Sequence, residues 1–148
     1  MELFAAREIH RPASEVFAFF SDAANNPKWQ SGMISCRWTT EPPIAVGSRY
    51  QQQARFLGRD VNSTFVVKAL EPGRMVEIET IDSTFPIRVR RIVEPLSEES
   101  CRVRAEISGG PERGPLKWLG PLVSRRAQRS VDADYDRLVQ LLESASSA

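Results

Sequence analysis

The chain has 148 residues, of which 41% are hydrophobic and 26% charged, as is usual for one globular domain. Its 20 Lys and Arg residues are balanced by 19 Asp and Glu, which argues against a broad nucleic-acid-binding surface. No apolar run approaches the roughly 20 residues of a membrane-spanning helix, and the first residues lack a signal-peptide core. We therefore expect one cytoplasmic domain over residues 1–143 and a loose tail at residues 144–148, without nucleic acid or an integral membrane segment.

Motifs for metal, redox or nucleophilic chemistry are missing from the sequence. Cys36 and Cys101 form no CxxC pair, and His10 is the single histidine, so a metal or thioredoxin-type site has no support. The sequence contains no GxSxG, HExxH or phosphate loop. We accordingly name no catalytic residue, no metal ligand and no cofactor, and expect both cysteines to be small buried thiols in strands.

The first part of the chain predicts a strand followed by two short helices. Residues 3–9 have a strand pattern, and residues 13–22 place apolar side chains on one side of a helix. A second short helix over residues 22–29 is interrupted at Asn26-Pro27. We expect Asp22, between the two helices, to cap a helix end rather than to act as an acid catalyst.

Residues 48–108 alternate between apolar and polar side chains with a period of two, which is the signal for strands. Segment after segment has one apolar and one charged face, as in an antiparallel sheet with one side in water. The side chains assigned to the inner face are Tyr50, Gln52, Ala54, Phe56, Val61, Ser63, Phe65, Val67, Val76, Ile78, Thr80, Phe85, Ile87, Val89, Cys101, Val103, Ala105 and Ile107.

Three turns are predicted to be two-residue hairpin loops, which would fix the register of the strands. The loops are Leu57-Gly58, Pro72-Gly73 and Asp82-Ser83. The charged pairs that this register predicts are Arg55 with Asp60, Lys68 with Glu77, and Glu77 with Arg88. The apolar pairs are Val67 with Ile78 and Ile78 with Ile87.

The last segment, residues 121–143, changes to a helical period. Its apolar stripe consists of Val123, Ala127, Val131, Leu138 and Leu142. At about 1.5 Å per residue this helix spans roughly 30 Å, enough to cross a sheet. An apolar sheet face has to be covered, and this helix is the only predicted element long enough to cover it.

The order of elements resembles the START-related superfamily, also called Bet v 1-like or SRPBCC, with its polyketide cyclase/dehydrase-like members. The residues that carry the resemblance are Ile9-x-x-Pro12-Ala13-x-x-Val16-Phe17, Asp22, Asn26-Pro27-x-Trp29, Gly47-x-x-Tyr50, Leu70-x-Pro72-Gly73-Arg74 and the segment 114–142. The resemblance implies an α+β helix-grip fold. In it, a curved antiparallel sheet wraps around a long C-terminal helix, and two short helices follow strand 1.

The resemblance also implies a ligand between the concave sheet face and the long helix. Carried onto this chain, the sheet lining would be Tyr50, Gln52, Phe56, Phe65, Ile78, Thr80, Phe85, Ile87 and Val89. Trp29 would lie near the mouth of the site. Trp118, Leu122 and Arg126 would contribute from the entry to the long helix.

Arg91 is a further candidate ligand-binding residue with two alternative placements. Strict alternation after Val89 points its guanidinium inward, where it could hold a carboxylate or enolate. A bulge at Arg90-Arg91 would turn the side chain outward and Ile92 inward. The bulge, or a position at the strand end, is the favoured alternative.

We expect the domain to bind or carry a small hydrophobic or aromatic molecule, or a lipid, without a cofactor. One alternative is a cyclase/aromatase-type enzyme, which would need an acid/base pair inside the pocket. Another is a regulatory partner of a second protein, with a filled, vestigial pocket and an exposed apolar patch. The sequence favours binding because no inward carboxylic acid or histidine can be named, and a homodimer is a further hypothesis.

Overall fold

The computed structural model describes residues 1–56, 58–83, 86–109 and 120–145. Seven antiparallel strands form one sheet in the order β1-β7-β6-β5-β4-β3-β2. The strands are β1 (Glu2–Ile9), β2 (Met33–Trp38), β3 (Arg49–Phe56), β4 (Arg59–Glu71), β5 (Met75–Asp82), β6 (Ile87–Pro95) and β7 (Cys101–Gly109). The helical elements are α1 (Ala13–Phe20), a 3₁₀ turn (Ala23–Asn25), α2 (Asn26–Trp29) and α3 (Gly120–Ser144). The predicted α+β helix-grip architecture is confirmed.

The long helix α3 covers the free edge of β1. The Gln128 side-chain amide accepts a hydrogen bond from the Phe4 backbone N–H (3.2 Å) and donates one to the Phe4 carbonyl (2.7 Å). Arg7 of β1 adds an ion pair with Asp136 of α3 at 2.7 Å. These contacts satisfy backbone groups that an uncovered edge strand would expose. None of the helices in the described ranges is both long and apolar enough to cross a membrane.

Two apolar clusters make up the core. The first joins α1, α2 and the C-terminal half of α3 to β1, β6 and β7. The second fills the concave face of β3 to β6 against the 3₁₀ turn and the segment that contains Ile44. Cys101 is buried in the first cluster as expected, whereas Cys36 is only half-buried, and both thiols are free.

The β3–β4 hairpin has the predicted register. Phe56 pairs with Arg59, and Arg55 pairs with Asp60. The Arg55 Nε atom lies 3.1 Å from an Asp60 carboxylate oxygen. Gly58 lies in the left-handed region at φ 77°, which is what a tight turn of this kind requires.

The β4–β5 hairpin differs from the prediction near its turn. Glu71 pairs with Met75, so the loop has three residues instead of two, with Gly73 at φ 79°. A bulge between Val67 and Ala69 then compensates for the additional loop residue and restores the predicted register beyond it. The predicted pair Val67–Ile78 is therefore confirmed, while the predicted pair of Lys68 with Glu77 is wrong because Ala69 faces Glu77.

The β5–β6 register is shifted by two residues from the prediction. Glu77 pairs with Arg90 rather than with Arg88, and Ile78 pairs with Val89 rather than with Ile87. The connection is longer than the two residues expected at Asp82-Ser83. Because a shift of two keeps every side chain on its own face, the predicted inner and outer faces survive the error.

Candidate functional site

A cavity of about 340 Å³ lies between the N-terminal half of α3 and the concave face of the sheet. The sheet contributes Leu3, Gln52, Ala54, Val61, Ser63, Ile87, Ile107 and Gly109. The helix contributes Val123, Arg126, Ala127, Ser130 and Val131, and residues 30–32 close one side. The cavity therefore occupies the position that the resemblance implied for a ligand.

The walls of the cavity are mainly apolar, with a few polar groups at defined places. Gln52 and Ser63 are cross-strand partners on the inner face of β3 and β4. Arg55, Arg126 and Ser130 also line the cavity but are exposed, so they belong to its rim. Among the described lining residues there is no aspartate, glutamate or histidine. Few polar groups in an apolar cavity are typical of a small-molecule site.

Residues 30–32 are held in place by hydrogen bonds with α3. The Ser31 backbone N–H donates to the Asp134 carboxylate at 2.9 Å, and Arg137 donates to the Trp29 carbonyl at 2.9 Å. Desolvation by burial raises the pKa of Asp134, and its hydrogen bonds with Ser31 and the charge of Arg137 offset part of the shift. This wall of the cavity is thus attached to the helix opposite the sheet.

The structure brings three of the predicted ligand-binding residues to the cavity: Gln52, Ile87 and Arg126. The other inner-face residues predicted from the alternation are packed in the second core cluster beside it. Those residues are Tyr50, Phe65, Ile78 and Val89. The hydroxyl of Thr80 is engaged by the backbone of Ile87, whose N–H donates to it at 2.9 Å.

Arg91 points inward, so the favoured outward placement is wrong. The pairs Val76–Arg91 and Ile78–Val89 continue without a bulge, and Arg91 is only 6% exposed. Its Nη1 donates to the Phe20 carbonyl at 2.9 Å and to Asn26 Oδ1 at 3.0 Å. The guanidinium carbon lies 5.1 Å from the ring centres of both Phe20 and Trp29. Arg91 therefore joins the sheet to α1 and α2, and it does not line the cavity among the described residues.

Two further placements need correction. Trp29 is 1% exposed, with its ring 5.0 Å from that of Tyr135, so it lies in the core and not near a mouth. Leu122 is 62% exposed, because the next residue, Val123, occupies the helical position that faces the cavity. Phe85, Trp118 and the side chain of Phe56 lie outside the described residues.

Sequence reasoning omitted several small residues that the structure places in the cavity wall. Ala54, Val61 and Ser63 lie on the predicted inner face, and Val123 and Ala127 lie on the predicted helical stripe. The prediction assigned the lining mainly to large side chains and therefore missed these small residues. Large side chains fill the core, whereas small ones leave space. Residues 30–32 had no signal, because their position depends on contacts with α3.

A group of buried polar side chains lies around Arg91. Tyr50 and Tyr135 have buried hydroxyl groups. Burial raises the pKa of both hydroxyls, that of Tyr135 to about 12, and the charge of Arg91 opposes the shift. The Tyr50 hydroxyl, Trp29 Nε1 and Arg91 Nε have no hydrogen-bond partner among the described residues. All three groups are able to donate a hydrogen bond.

Solved structures with the same architecture cover almost the whole chain. The protein TTHA0849 from Thermus thermophilus has a TM-score of 0.84 at 17% identity, covering 99% of this chain and 100% of that one. A START superfamily protein from Mycobacterium smegmatis has a TM-score of 0.78 at 14% identity, covering 97% and 98%. The Zhui aromatase/cyclase from Streptomyces sp. R1128 has a TM-score of 0.79 at 12% identity, covering 100% and 96%. At these identities the likeness establishes the fold alone.

Family membership comes from the sequence rather than from these structures. No curated protein sequence matches the chain. The family described as polyketide cyclase/dehydrase and lipid transport matches residues 2–143, which span every strand and nearly all of α3. The fold and the family fit both ligand-binding and polyketide cyclase-type proteins. The chain belongs to the polyketide cyclase/dehydrase and lipid transport family.

Proposed function

We propose that this protein binds or carries one small hydrophobic or aromatic molecule in the cavity between α3 and the sheet. The observation that carries the proposal is the cavity of about 340 Å³. Its size falls within the roughly 300–1,000 Å³ of small-molecule sites. Apolar walls favour an apolar ligand because burying its surface contributes about 25 cal/mol per Å².

A cyclase-type activity is the second candidate, and the family description is what favours it. Such an enzyme would orient a polyketide-like chain and assist enolisation and loss of water. Its requirement for an acid/base pair is not met by the described lining, which has no aspartate, glutamate or histidine. The polar side chains there are those of Gln30, Ser31, Gln52, Ser63, Ser108, Ser130 and the two rim arginines. Binding therefore ranks first. A regulatory module with a vestigial pocket ranks last, since its cavity would be filled.

The proposal is tested by filling the cavity from α3. Ala127 faces the cavity and Ala133 is exposed on the same helix, so the variants Ala127→Phe and Ala133→Phe form a matched pair. With N-phenyl-1-naphthylamine as a fluorescent apolar probe, we expect one site in the wild type and in Ala133→Phe. Ala127→Phe should weaken binding at least about tenfold, or roughly 1.4 kcal/mol. Equal affinity in both variants would contradict the proposed site.

A further inference from the structure

A chain of polar side chains leads from buried Arg91 to the wall of the cavity. Arg91 Nη1 donates to Asn26 Oδ1 at 3.0 Å, and Asn26 Nδ2 donates to Cys36 Sγ at 3.8 Å. The Cys36 thiol then donates to Gln52 Oε1 at 3.7 Å. We call Arg91, Asn26 and Cys36 the Arg91 relay. Its last contact reaches Gln52, which lines the cavity.

The direction of these hydrogen bonds is fixed by the arginine. A guanidinium has donors only, so the oxygen of the Asn26 amide must face Arg91. The Asn26 NH₂ group then has to face Cys36. Asn26 is 1% exposed and Arg91 6%, and reversing the amide would place two donors against each other in a buried site, at the cost of an unmade hydrogen bond.

The hydrogen bond between Cys36 and Gln52 has the same donor-to-acceptor direction. Its sulfur accepts from Asn26, so its S–H is free to donate, and Cys36 faces Gln52 directly across β2 and β3. Burial raises the pKa of the Cys36 thiol to about 11, with the hydrogen bond from Asn26 and the charge of Arg91 opposing the shift. The thiol therefore keeps its proton at neutral pH and remains a donor.

The far end of the relay presents a donor to the cavity. Gln52 Oε1 is occupied by the Cys36 thiol, so the Gln52 Nε2 group is the end that remains for another partner, and no hydrogen bond from it is found within the described residues. We propose that Gln52 Nε2 donates to an acceptor oxygen of the bound molecule and that the Arg91 relay holds the Gln52 amide in this orientation. The ligand class is thus an apolar or aromatic molecule carrying a carbonyl or ether oxygen. This inference rests on the proposed function of the cavity.

The test compares two ligands that differ in the acceptor alone. 2-Acetylnaphthalene has a carbonyl oxygen, and 2-ethylnaphthalene has nearly the same shape without one. The readout is the ratio of their Kd values by calorimetry, compared between variants, because this comparison cancels the difference in hydrophobicity of the ligands. We expect the wild-type preference for the acetyl compound to exceed that of Gln52→Leu about fivefold, the value of roughly one hydrogen bond.

The relay is tested by a pair of substitutions at Cys36. Cys36→Ala removes the donor to Gln52 and should lower the acetyl preference toward that of Gln52→Leu. Cys36→Ser keeps an O–H donor and should retain the preference, which a merely structural role for Cys36 does not predict. Wild-type preference in both Cys36 variants would overturn the relay.

Two other outcomes separate this inference from the proposed function. If both naphthalenes bind and the ratio is the same in the wild type and in Gln52→Leu, the cavity binds ligands but Gln52 does not select them, and the inference is overturned alone. If neither compound binds to the wild type, while its melting temperature shows a folded protein, the inference and the proposed binding of aromatic molecules both fail.

Discussion

Arg91 shows at the scale of one residue how this fold accommodates a buried cation. Within the described residues its hydrogen-bond partners are neutral oxygens rather than a carboxylate. Its charge lies over the rings of Phe20 and Trp29, 5.1 Å from each ring centre, and against the carbonyl of Phe20. That carbonyl is at the C-terminal end of α1, where the partial negative charge of the helix favours a cation. Arg91 is therefore best understood as the group that joins α1 and α2 to the sheet.

Replacement of Arg91 by Met should destabilise the protein far more than the same change at Arg90. Arg91→Met leaves the Phe20 carbonyl and Asn26 Oδ1 buried without their donor, at about 1–3 kcal/mol for each unsatisfied group. Arg90 is exposed, and its ion pairs with Glu77 and Glu106 are at the surface, where such pairs are worth about 0–1 kcal/mol. Urea unfolding of the two variants measures the difference. Equal losses would show that Arg91 does not hold α1 and α2 in place.

Buried Cys101 and half-buried Cys36 predict a loss of stability in alkaline solution. Burial raises the pKa of Cys101 to about 11, and that of Cys36 to the same value. An unfolded thiol loses its proton near its ordinary pKa of 9.0, so between about pH 9 and pH 11 the folded state binds more protons than the unfolded state. The free energy of unfolding is then at its full value below about pH 9 and falls as the pH rises toward 11.

Urea unfolding at several pH values from about 8 to 11 measures this decline. The Cys101→Ala variant should have a lower free energy of unfolding at about pH 8, because it creates a cavity, but a shallower fall above about pH 9. A slope identical to that of the wild type would contradict a raised pKa of Cys101 in the folded protein.

The inward direction of Arg91 is one of two alternatives that the sequence offers, and the favoured one, a bulge or a strand end, is wrong. Strict alternation after Val89 points the side chain inward, but an arginine inside a core needs partners. What overturns that preference is a set of partners from α1 and α2, Phe20, Asn26 and Trp29, which lie more than sixty positions away in the chain and leave no local signal.

Among the elements of the fold, strand β7 ends at Gly109. No side chain fits at this position. Its φ is 120°, and a Cβ atom there would lie 2.0 Å from the Pro86 carbonyl oxygen. Gly109 pairs with Ile87, the first residue of β6, and also borders the cavity. The close approach of β6 and β7 at this point thus depends on a glycine.

Substitution of Gly109 should therefore cost more than substitution of a glycine in an open turn. Gly73 also has a positive φ, 79°, but a Cβ atom there meets nothing within 4 Å. Gly73→Ala should cost about 1–2 kcal/mol from backbone strain alone. Gly109→Ala adds a clash with backbone and should lower the melting temperature clearly further. Equal thermal shifts in the two variants would contradict the close packing at Gly109.

The type of each element and the face on which its side chains lie could be predicted from the sequence. The register between neighbouring strands was less predictable. Turn residues and alternation located the hairpins, and Arg55–Asp60 was paired correctly. The errors come from loop length: one extra residue at the Pro72-Gly73 turn is removed by a bulge at Lys68, and the β5–β6 connection is two residues longer than expected. Neither the bulge nor the longer loop changes the local hydrophobic pattern, so the sequence alone could not show them.

In the whole molecule, the two halves of α3 face different parts of the structure. The C-terminal half packs Tyr135 and Leu138 into the first core cluster. The N-terminal half places small residues, Val123 and Ala127, against the cavity. Core packing and the proposed ligand site therefore involve different parts of one helix, and variants such as Ala127→Phe can block the cavity without removing contacts of the first core cluster.

The cavity was predictable in position but only partly in composition. An apolar sheet face and one long helix place it between the two layers, and three of the residues predicted to bind a ligand, Gln52, Ile87 and Arg126, line it. The choice of large aromatic residues as lining failed because Tyr50 and Phe65 stack on each other, with ring centres 5.1 Å apart, and so fill their own space. Which side chains pack and which leave room is decided by three-dimensional contacts.

The measurement that tests the central claim most directly is a ¹H–¹⁵N NMR titration with 2-acetylnaphthalene. We predict saturable shifts at the backbone amides of Val61, Ser63, Ala127 and Ser130, together with the side-chain amide of Gln52. All five border the cavity. Signals from the outer face, such as those of Arg88 and Arg102, should not move. Shifts confined to exposed apolar residues such as Phe4, Ile34 and Val46, with the cavity signals unchanged, would contradict a ligand site between α3 and the sheet.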